Sequence, residues 1–149
     1  MKKKIKGVWI FGMSGSGKTF ASKYFNKIAK KPFLIDGHII RKHISFDLKH
    51  NLSDRIIQTK RLIGLAKICI AQGYFPIICS VFLGKKISSI AKKINIEIVQ
   101  IKREKKFLNK KIKDKKNIVG LDIKQPKINS LYIVNDKNFR QNLRKVFKN

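Results

Sequence analysis

Apolar and polar positions fall into blocks along this chain, and the blocks alternate in period. "GVWIF" at residues 7–11 is a continuous apolar run that stops at a glycine, which predicts a strand buried on both faces, with Trp9 and Phe11 in the core. "KTFASKYFNKIAKK" follows with helical spacing, and "PFLID" then reads as a second short strand ending at Asp36. Residues 37–46 read as helix. Ser53 is the expected N-cap of a long helix, "DRIIQTKRLIGLAKICIAQG", which ends at Gly73 and sets Ile56, Ile57, Ile63, Ala66 and Ile70 roughly on one face. "YFPIICSVF" is the next buried strand, residues 85–93 can form a helix, and "IEIVQI" is a further strand. Lys102 to Lys116 is charged, with little apolar content. "SLYIV" gives a last strand and residues 137–147 a closing helix, docked through Phe139, Leu143, Val146 and Phe147. Strands alternating with helices predict an α/β fold: a parallel β-sheet flanked by helices on both faces. No internal repeat and no linker divides the chain, so residues 1–149 read as a single domain.

Composition narrows this picture only in part. A chain of 149 residues with 43% hydrophobic residues can build a substantial core. No apolar run approaches the ~18–20 residues of a membrane span, and the basic start "MKKKIKGVWIFG" runs into a glycine loop without a cleavage site, as expected of a cytoplasmic protein. Cys69 and Cys79, the two cysteines, sit in apolar segments without metal-ligand spacing and read as reduced core residues. The formal net charge of +28 raises the question of a nucleic-acid partner. The lysines are spread over every predicted element and form no concentrated tract, so they read as solvated surface, and nucleic acid is disfavoured. The field of such a surface still favours encounter with anionic substrates.

The chemistry begins in "WIFGMSGSGKTFAS". Gly12-x-x-x-x-Gly17-Lys18-Thr19 is a complete P-loop, with a strand before it and a helix after it. Its glycines allow backbone conformations that point several N–H groups into one hollow, and the helix adds the positive end of its dipole. Gly12, Ser14, Gly15, Ser16, Gly17, Lys18 and Thr19 are thus the expected ATP-binding set, with Lys18 on the β- and γ-phosphates and the Thr19 hydroxyl a ligand for Mg²⁺.

Asp36 is the second anchor. An acid at the carboxyl end of a strand near the P-loop points to the crevice where phosphates lie. It could ligate Mg²⁺ or accept a proton from an attacking hydroxyl; the plainer alternative is an aspartate capping the turn at Gly37. Neither N-K-x-D nor D-x-x-G occurs, which excludes a GTPase, and a motor or helicase ATPase would be longer. A small-molecule kinase fits the length and the alternation.

"LIDGHIIRKHISFDLKHNLSDRIIQTKRLIGLAKICIAQGYFPIICS" resembles the adenylylsulfate (APS) kinases. Asp36, Gly37, Arg41, Asp47, Leu48, Asp54, Arg55, Arg61 and Gly73 fall on that family's pattern without a gap, while "REKKFLNKK" and "NIVGLD" resemble its lid more faintly. The resemblance implies a P-loop kinase fold with a short lid at about residues 103–118, and transfer of the γ-phosphoryl of ATP to a nucleotide's 3′-hydroxyl. It implies that Asp36, with Lys18, serves catalysis, Asp36 lying at the Mg²⁺ and the attacking hydroxyl. Arg41 and Arg55 would grip the anionic part of the acceptor, and Lys105 or Lys106 would close over the phosphates.

The departures cluster on the acceptor side. His38 stands where the family has a second aspartate, and Gln58 where it has asparagine. His50 and Ile118 replace two aromatic residues that sandwich the acceptor adenine. Some relatives phosphorylate cytidine diphosphoramidate in capsule biosynthesis, and a pocket without its aromatic clamp could take that smaller base. The acceptor expected from sequence is therefore a non-standard nucleotide such as this, with adenylylsulfate next. A basic P-loop NTPase acting on nucleic acid, and a family member without catalysis, are the competing readings. A homodimer is left open.

Overall fold

The computed structural model describes residues 4–108 and 116–148. Its centre is a five-stranded, wholly parallel sheet in the order β2-β3-β1-β4-β5. The strands are β1 (Gly7–Phe11), β2 (Pro32–Asp36), β3 (Phe75–Ser80), β4 (Ile96–Lys102) and β5 (Leu131–Val134). The helices are α1 (Lys18–Ile28), α2 (Gly37–His43), α3 (Leu52–Ala71), α4 (Lys85–Lys93) and α5 (Phe139–Leu143).

Side chains alternate across the pleat, and that alternation builds two cores. Val8 and Ile10 of β1 join Ile77, Val99 and Ile101 under Ala21 and Phe25 of α1 and Phe139 and Leu143 of α5. Trp9 and Phe11 point the other way, among Ile78 and Ile98 and under Leu62, Ile63 and Ala66 of α3 and Ile87 and Ala91 of α4. Because β1 is covered on both faces, all five of its residues are buried, which is why it reads as an unbroken apolar run. Phe139, Leu143 and Val146 are buried with Phe147 packed beside them, so the closing face docks as its spacing predicts. Both cysteines are free and buried.

The local differences from the sequence reading have local causes. Helix α2 is shorter than 37–46, because Ser45 N turns back to Ile40 O at 2.8 Å and ends the helical ladder. The cap of α3 is Asn51, not Ser53: Asn51 Oδ1 accepts Asp54 N at 2.9 Å, and the Ser53 hydroxyl, already inside the helix, donates to the same oxygen at 2.6 Å. The buried stripe of α3 runs through Gln58, Thr59, Leu62, Ile63, Ala66 and Cys69, while Ile56 and Ile57 stay 39% and 38% exposed. Helix α3 stops at Ala71, and Gly73 supplies the left-handed turn (φ +79°) that leads into β3. The closing segment is α5 followed by a tighter 3₁₀ turn at Arg144–Phe147, not one continuous helix. Of the proposed lid, residues 109–115 lie outside the described residues; Lys105–Phe107 form one 3₁₀ turn.

The strand order decides where a ligand can sit. The chain leaves β1 for β2 across β3 and later returns from β3 to β4 across β1. The connections from the adjacent strands β1 and β3 therefore depart in opposite directions, opening a crevice at their carboxyl ends. The loops after β1, β2 and β3 all empty into it.

Candidate active site

The crevice is a cavity of about 890 Å³. Its walls include Ser14, Gly15, Gly17, Lys18 and Thr19 from the loop after β1, Asp36 to His38 from the end of β2, and Arg41 from α2. Lys49, His50, Arg55 and Gln58 contribute from the approach to α3 and its first turns, and Lys116 to Val119 close the far side.

The loop after β1 is shaped by close backbone approaches. A Cβ on Gly12 would collide with the carbonyl oxygen of Ile101 and stand 2.9 Å from Ser16 Oγ. Gly17 has φ +110°, and a Cβ there would run into the Asn135 amide. That amide donates from Nδ2 to Ser16 O at 2.8 Å, and Asn135 N donates to Lys102 O at 2.7 Å, which ties the loop to the ends of β4 and β5. Ser16 Oγ is buried and has no hydrogen-bond partner among the described residues. Ser16 N donates to Met13 O at 3.1 Å and closes the loop into a tight turn at the start of α1, a setting that suits an anion.

Lys18 curls over this hollow, with Nζ donating to Gly12 O at 2.8 Å and Met13 O at 2.7 Å. Burial pushes its pKa down to about 8, although the nearby Asp36 carboxylate acts in the opposite sense. The Cys79 thiol, itself buried, is pushed up to about 12, so it stays protonated and inert.

Asp36 is at once a helix cap and a cavity residue. Its Oδ1 caps α2, accepting His38 N at 2.8 Å and Ile39 N at 3.4 Å, while the residue also lines the cavity. Both cap bonds end on one oxygen, so the second is not consumed by the cap.

Across the cavity lie two guanidinium groups. Arg41 Nη1 donates to Lys49 O at 2.8 Å; Arg55 donates from Nε to His50 O at 2.8 Å and from Nη2 to Asn117 O at 2.9 Å. Burial lowers the pKa of both, and Arg55 is lowered further by the positive charge of Arg41. Neither is ion-paired with a carboxylate among the described residues. Asp54, which raises Arg41, instead accepts Lys49 N at 2.7 Å and Asn51 Nδ2 at 3.1 Å. These carbonyl anchors use only part of each guanidinium's five donors. Two like charges held together, with the nearby Asp54 carboxylate engaged by Lys49 N and Asn51, can receive an anion.

The loop before α3 is braced by a forked pair, Arg61 Nη1 to Asp47 Oδ1 at 2.6 Å and Nη2 to Asp47 Oδ2 at 2.7 Å. On the opposite wall, Gly120 (φ +92°) packs so tightly on Met13 that a Cβ would meet Sδ at 2.8 Å. Val119 and Ile123 pack with Phe82 behind it.

The profile of the adenylylsulphate kinase family matches residues 4–124. The chain belongs to the adenylylsulphate kinase family. Among solved structures it is similar to the Mycobacterium tuberculosis APS kinase CysC in complex with AMPPNP and APS, at 17% identity and a TM-score of 0.81, over 97% of this chain and 96% of that one. A sugar kinase from Janibacter sp. HTCC2649 has 12% identity and a TM-score of 0.63, over 97% and 91%. A gluconokinase from Sinorhizobium meliloti 1021 has 12% identity and a TM-score of 0.61, over 98% and 92%. No curated protein matches the chain at a significant level. As a member of a kinase family with a complete P-loop, the chain is an ATP-dependent phosphotransferase of the P-loop kinase fold.

Within this family member, the cavity gathers most of the expected site residues. Ser14, Gly15, Gly17, Lys18 and Thr19 line it on the P-loop side, with Asp36, and His38, Arg41, His50, Arg55, Gln58 and Ile118 line the rest. Gly12 and Ser16 are buried beneath the loop and shape it from behind. Lys105 and Lys106 are not in the cavity wall: both are exposed, and Lys106 pairs with Glu104 at 2.7 Å. Lys49, Lys116 and Asn135 were not singled out by sequence. Lys49 adjoins His50, which is a local hint. Asn135 lies 119 residues from the Ser16 carbonyl it supports, and no spacing rule connects them.

The donor set fits magnesium. Thr19 and Asp36 present a hydroxyl and a carboxylate to one cavity, and no cluster of three or more His, Cys, Asp or Glu occurs among the described residues. Few, hard oxygen ligands suit an ion that keeps much of its water and takes the rest of its shell from phosphates. No helix among the described residues is long and apolar enough to cross a membrane.

Proposed function

We propose that this kinase moves the γ-phosphoryl of Mg·ATP to the 3′-hydroxyl of a nucleotide with an anionic tail. A non-standard acceptor such as cytidine diphosphoramidate, in capsule biosynthesis and in the cytoplasm, is its favoured substrate. The observation that carries the reading is the joint cavity, with a P-loop at one end and, at the other, two arginines held by backbone carbonyls and ion-paired with no carboxylate among the described residues. The acceptor base favours the smaller nucleotide because His50 and Ile118 line the wall where the resemblance places two aromatic rings.

In this mechanism the triphosphate lies against the backbone of the loop from Ser14 to Gly17, in which Ser16 N donates to Met13 O at 3.1 Å, and Lys18 exchanges the carbonyls of Gly12 and Met13 for phosphate oxygens. Thr19 and Asp36 would hold Mg²⁺, which neutralises developing charge on the phosphates when bound. Arg41 and Arg55 clasp the tail and so fix the ribose, and Asp36 accepts the proton of the 3′-hydroxyl as it attacks.

A second reading is adenylylsulfate itself as acceptor, favoured by the overall likeness to an APS kinase solved with APS. A panel of nucleotides assayed for acceptor-dependent ADP release separates the two. The favoured reading expects turnover of cytidine diphosphoramidate above that of adenylylsulfate, with Asp36→Asn slowing it by about 10²- to 10⁴-fold. Equal or greater use of adenylylsulfate selects the second. ADP release that ignores every nucleotide acceptor but responds to RNA or DNA would overturn both.

A further inference from the structure

Ser16 sits between two glycines in left-handed backbone, Gly15 at φ +80° and Gly17 at φ +110°. Glycine moves between positive and negative φ at little cost, so the Ser16–Gly17 peptide can rotate unless something outside the loop fixes it. Three side chains reach carbonyls of this loop. Lys18 Nζ holds Gly12 O and Met13 O, and both bonds are given up when phosphates take the lysine. Arg103 Nη1 reaches Gly15 O only at 3.4 Å, long for a hydrogen bond. Asn135 Nδ2 holds Ser16 O at 2.8 Å from outside the cavity wall, so its bond can stay when a nucleotide is bound.

Asn135 is itself well anchored. Its N–H donates to Lys102 O at 2.7 Å at the end of β4. The turn that follows is closed by Asn138 N on Asp136 Oδ1 at 2.8 Å and by Phe139 N on Asp136 O at 3.0 Å. Phe139 is buried and packs on Phe20 of α1 with ring centroids 5.6 Å apart. A Cβ on Gly17 would stand 3.3 Å from both Asn135 Cγ and Phe139 Cε1, so this corner presses directly on the loop backbone. The carbonyl of Ser16 accepts only, which fixes the amide nitrogen of Asn135 as the atom that meets it. The chain has no cis peptide, and a planar trans peptide turns its C=O and N–H in opposite directions. Holding Ser16 O therefore turns the Gly17 N–H away from Asn135, and Gly17 is a residue of the cavity wall.

We infer that Asn135 is a positioning residue for ATP: by holding the Ser16 carbonyl it selects the one orientation of the Ser16–Gly17 peptide that offers the Gly17 N–H to a phosphate oxygen. This rests on the triphosphate lying in the loop after β1, and it is independent of which nucleotide accepts the phosphoryl group.

Asn135→Leu tests it, since leucine keeps the branched shape of the side chain, removes the donor and adds no charge. The Kd for Mg·ATP, measured by calorimetry, should rise about 5- to 50-fold, the loss expected when a carbonyl is left without its donor. The KM for whichever nucleotide the enzyme turns over should stay nearly unchanged. A bond that serves only the fold would lower the melting temperature and leave the Mg·ATP Kd of the folded enzyme as it was; that result overturns the inference. So does a rise in acceptor KM as large as the rise in Kd, which marks a general loosening of the cavity. Asn135→Ala decides by the same measurements if Asn135→Leu does not fold. Native enzyme that binds no Mg·ATP would end the placement of the triphosphate and this inference together, whereas failure of cytidine diphosphoramidate as acceptor would leave the role of Asn135 standing.

Discussion

The two ends of the cavity are built on different principles. The end proposed for ATP is backbone: glycines pressed against the Ile101 carbonyl and the Asn135 amide shape the loop, and one lysine completes the hollow. The end proposed for the acceptor is side chain: two arginines held by carbonyls, a buried glutamine, two histidines and an isoleucine. Backbone geometry serves any nucleoside triphosphate and tolerates little change. A side-chain wall can be retuned residue by residue while the phosphotransfer machinery stays in place. The contrast explains how a chain can match a family over residues 4–124 and still depart from its pattern at His38, His50, Gln58 and Ile118.

The sharpest break of this contrast is Lys18→Ala. Removing the donor-end charge should lower acceptor-dependent ADP formation by about 10²- to 10³-fold with every acceptor alike, as is typical of a lost electrostatic group. Steady-state assays over the whole panel check this, and an effect confined to one acceptor would contradict the division. Arg55→Ala should act on the other end: the KM for the acceptor should rise about 10- to 100-fold, with the KM for ATP nearly unchanged.

A pH titration sharpens the donor end further. Lys18 is held at a pKa of about 8, below the unfolded value, by burial. Nucleotide binding needs its charged form, so ATP affinity should fall about tenfold between pH 7.5 and pH 9, and calorimetry can follow it. Folding stability responds in the opposite sense. The unfolded chain binds more protons between that value and the ordinary lysine range of roughly 10.4, so the Lys18 contribution to stability rises with pH across this window. The smallest effect belongs to Ile118→Phe, which restores one aromatic wall. It should shift acceptor preference toward purine nucleotides by about 2- to 10-fold in kcat/KM without changing the KM for ATP.

How much of this was legible in the sequence follows the same division. The sheet was readable because each strand is a short, mostly apolar run bounded by turn or charged residues, clearest in "GVWIF", which is buried on both faces. The P-loop was readable because its chemistry lies in consecutive residues. Where contacts are long-range, the reading lost detail. Ser53 looked like a cap, but Asn51 holds that place because its amide can serve Asp54 N and be braced by the Ser53 hydroxyl at once. Ile56 and Ile57 looked like core, but the neighbours of α3 claim the stripe through Thr59 and Leu62 instead. The support of Ser16 by Asn135 and of Arg55 by Asn117 joins residues 119 and 62 positions apart, beyond any local pattern. Asp36 showed that cap and cavity residue need not be alternatives.

The central claim is that one cavity holds donor and acceptor at once. The structure of the enzyme with magnesium, a non-hydrolysable ATP analogue and cytidine diphosphoramidate tests it most directly. The account predicts phosphates on the amides of Ser14 to Gly17, the acceptor tail on Arg41 and Arg55, and the 3′-hydroxyl within hydrogen-bond reach of Asp36. A triphosphate bound in that loop with the acceptor seated away from both arginines, or with its 3′-hydroxyl turned from Asp36, would contradict it.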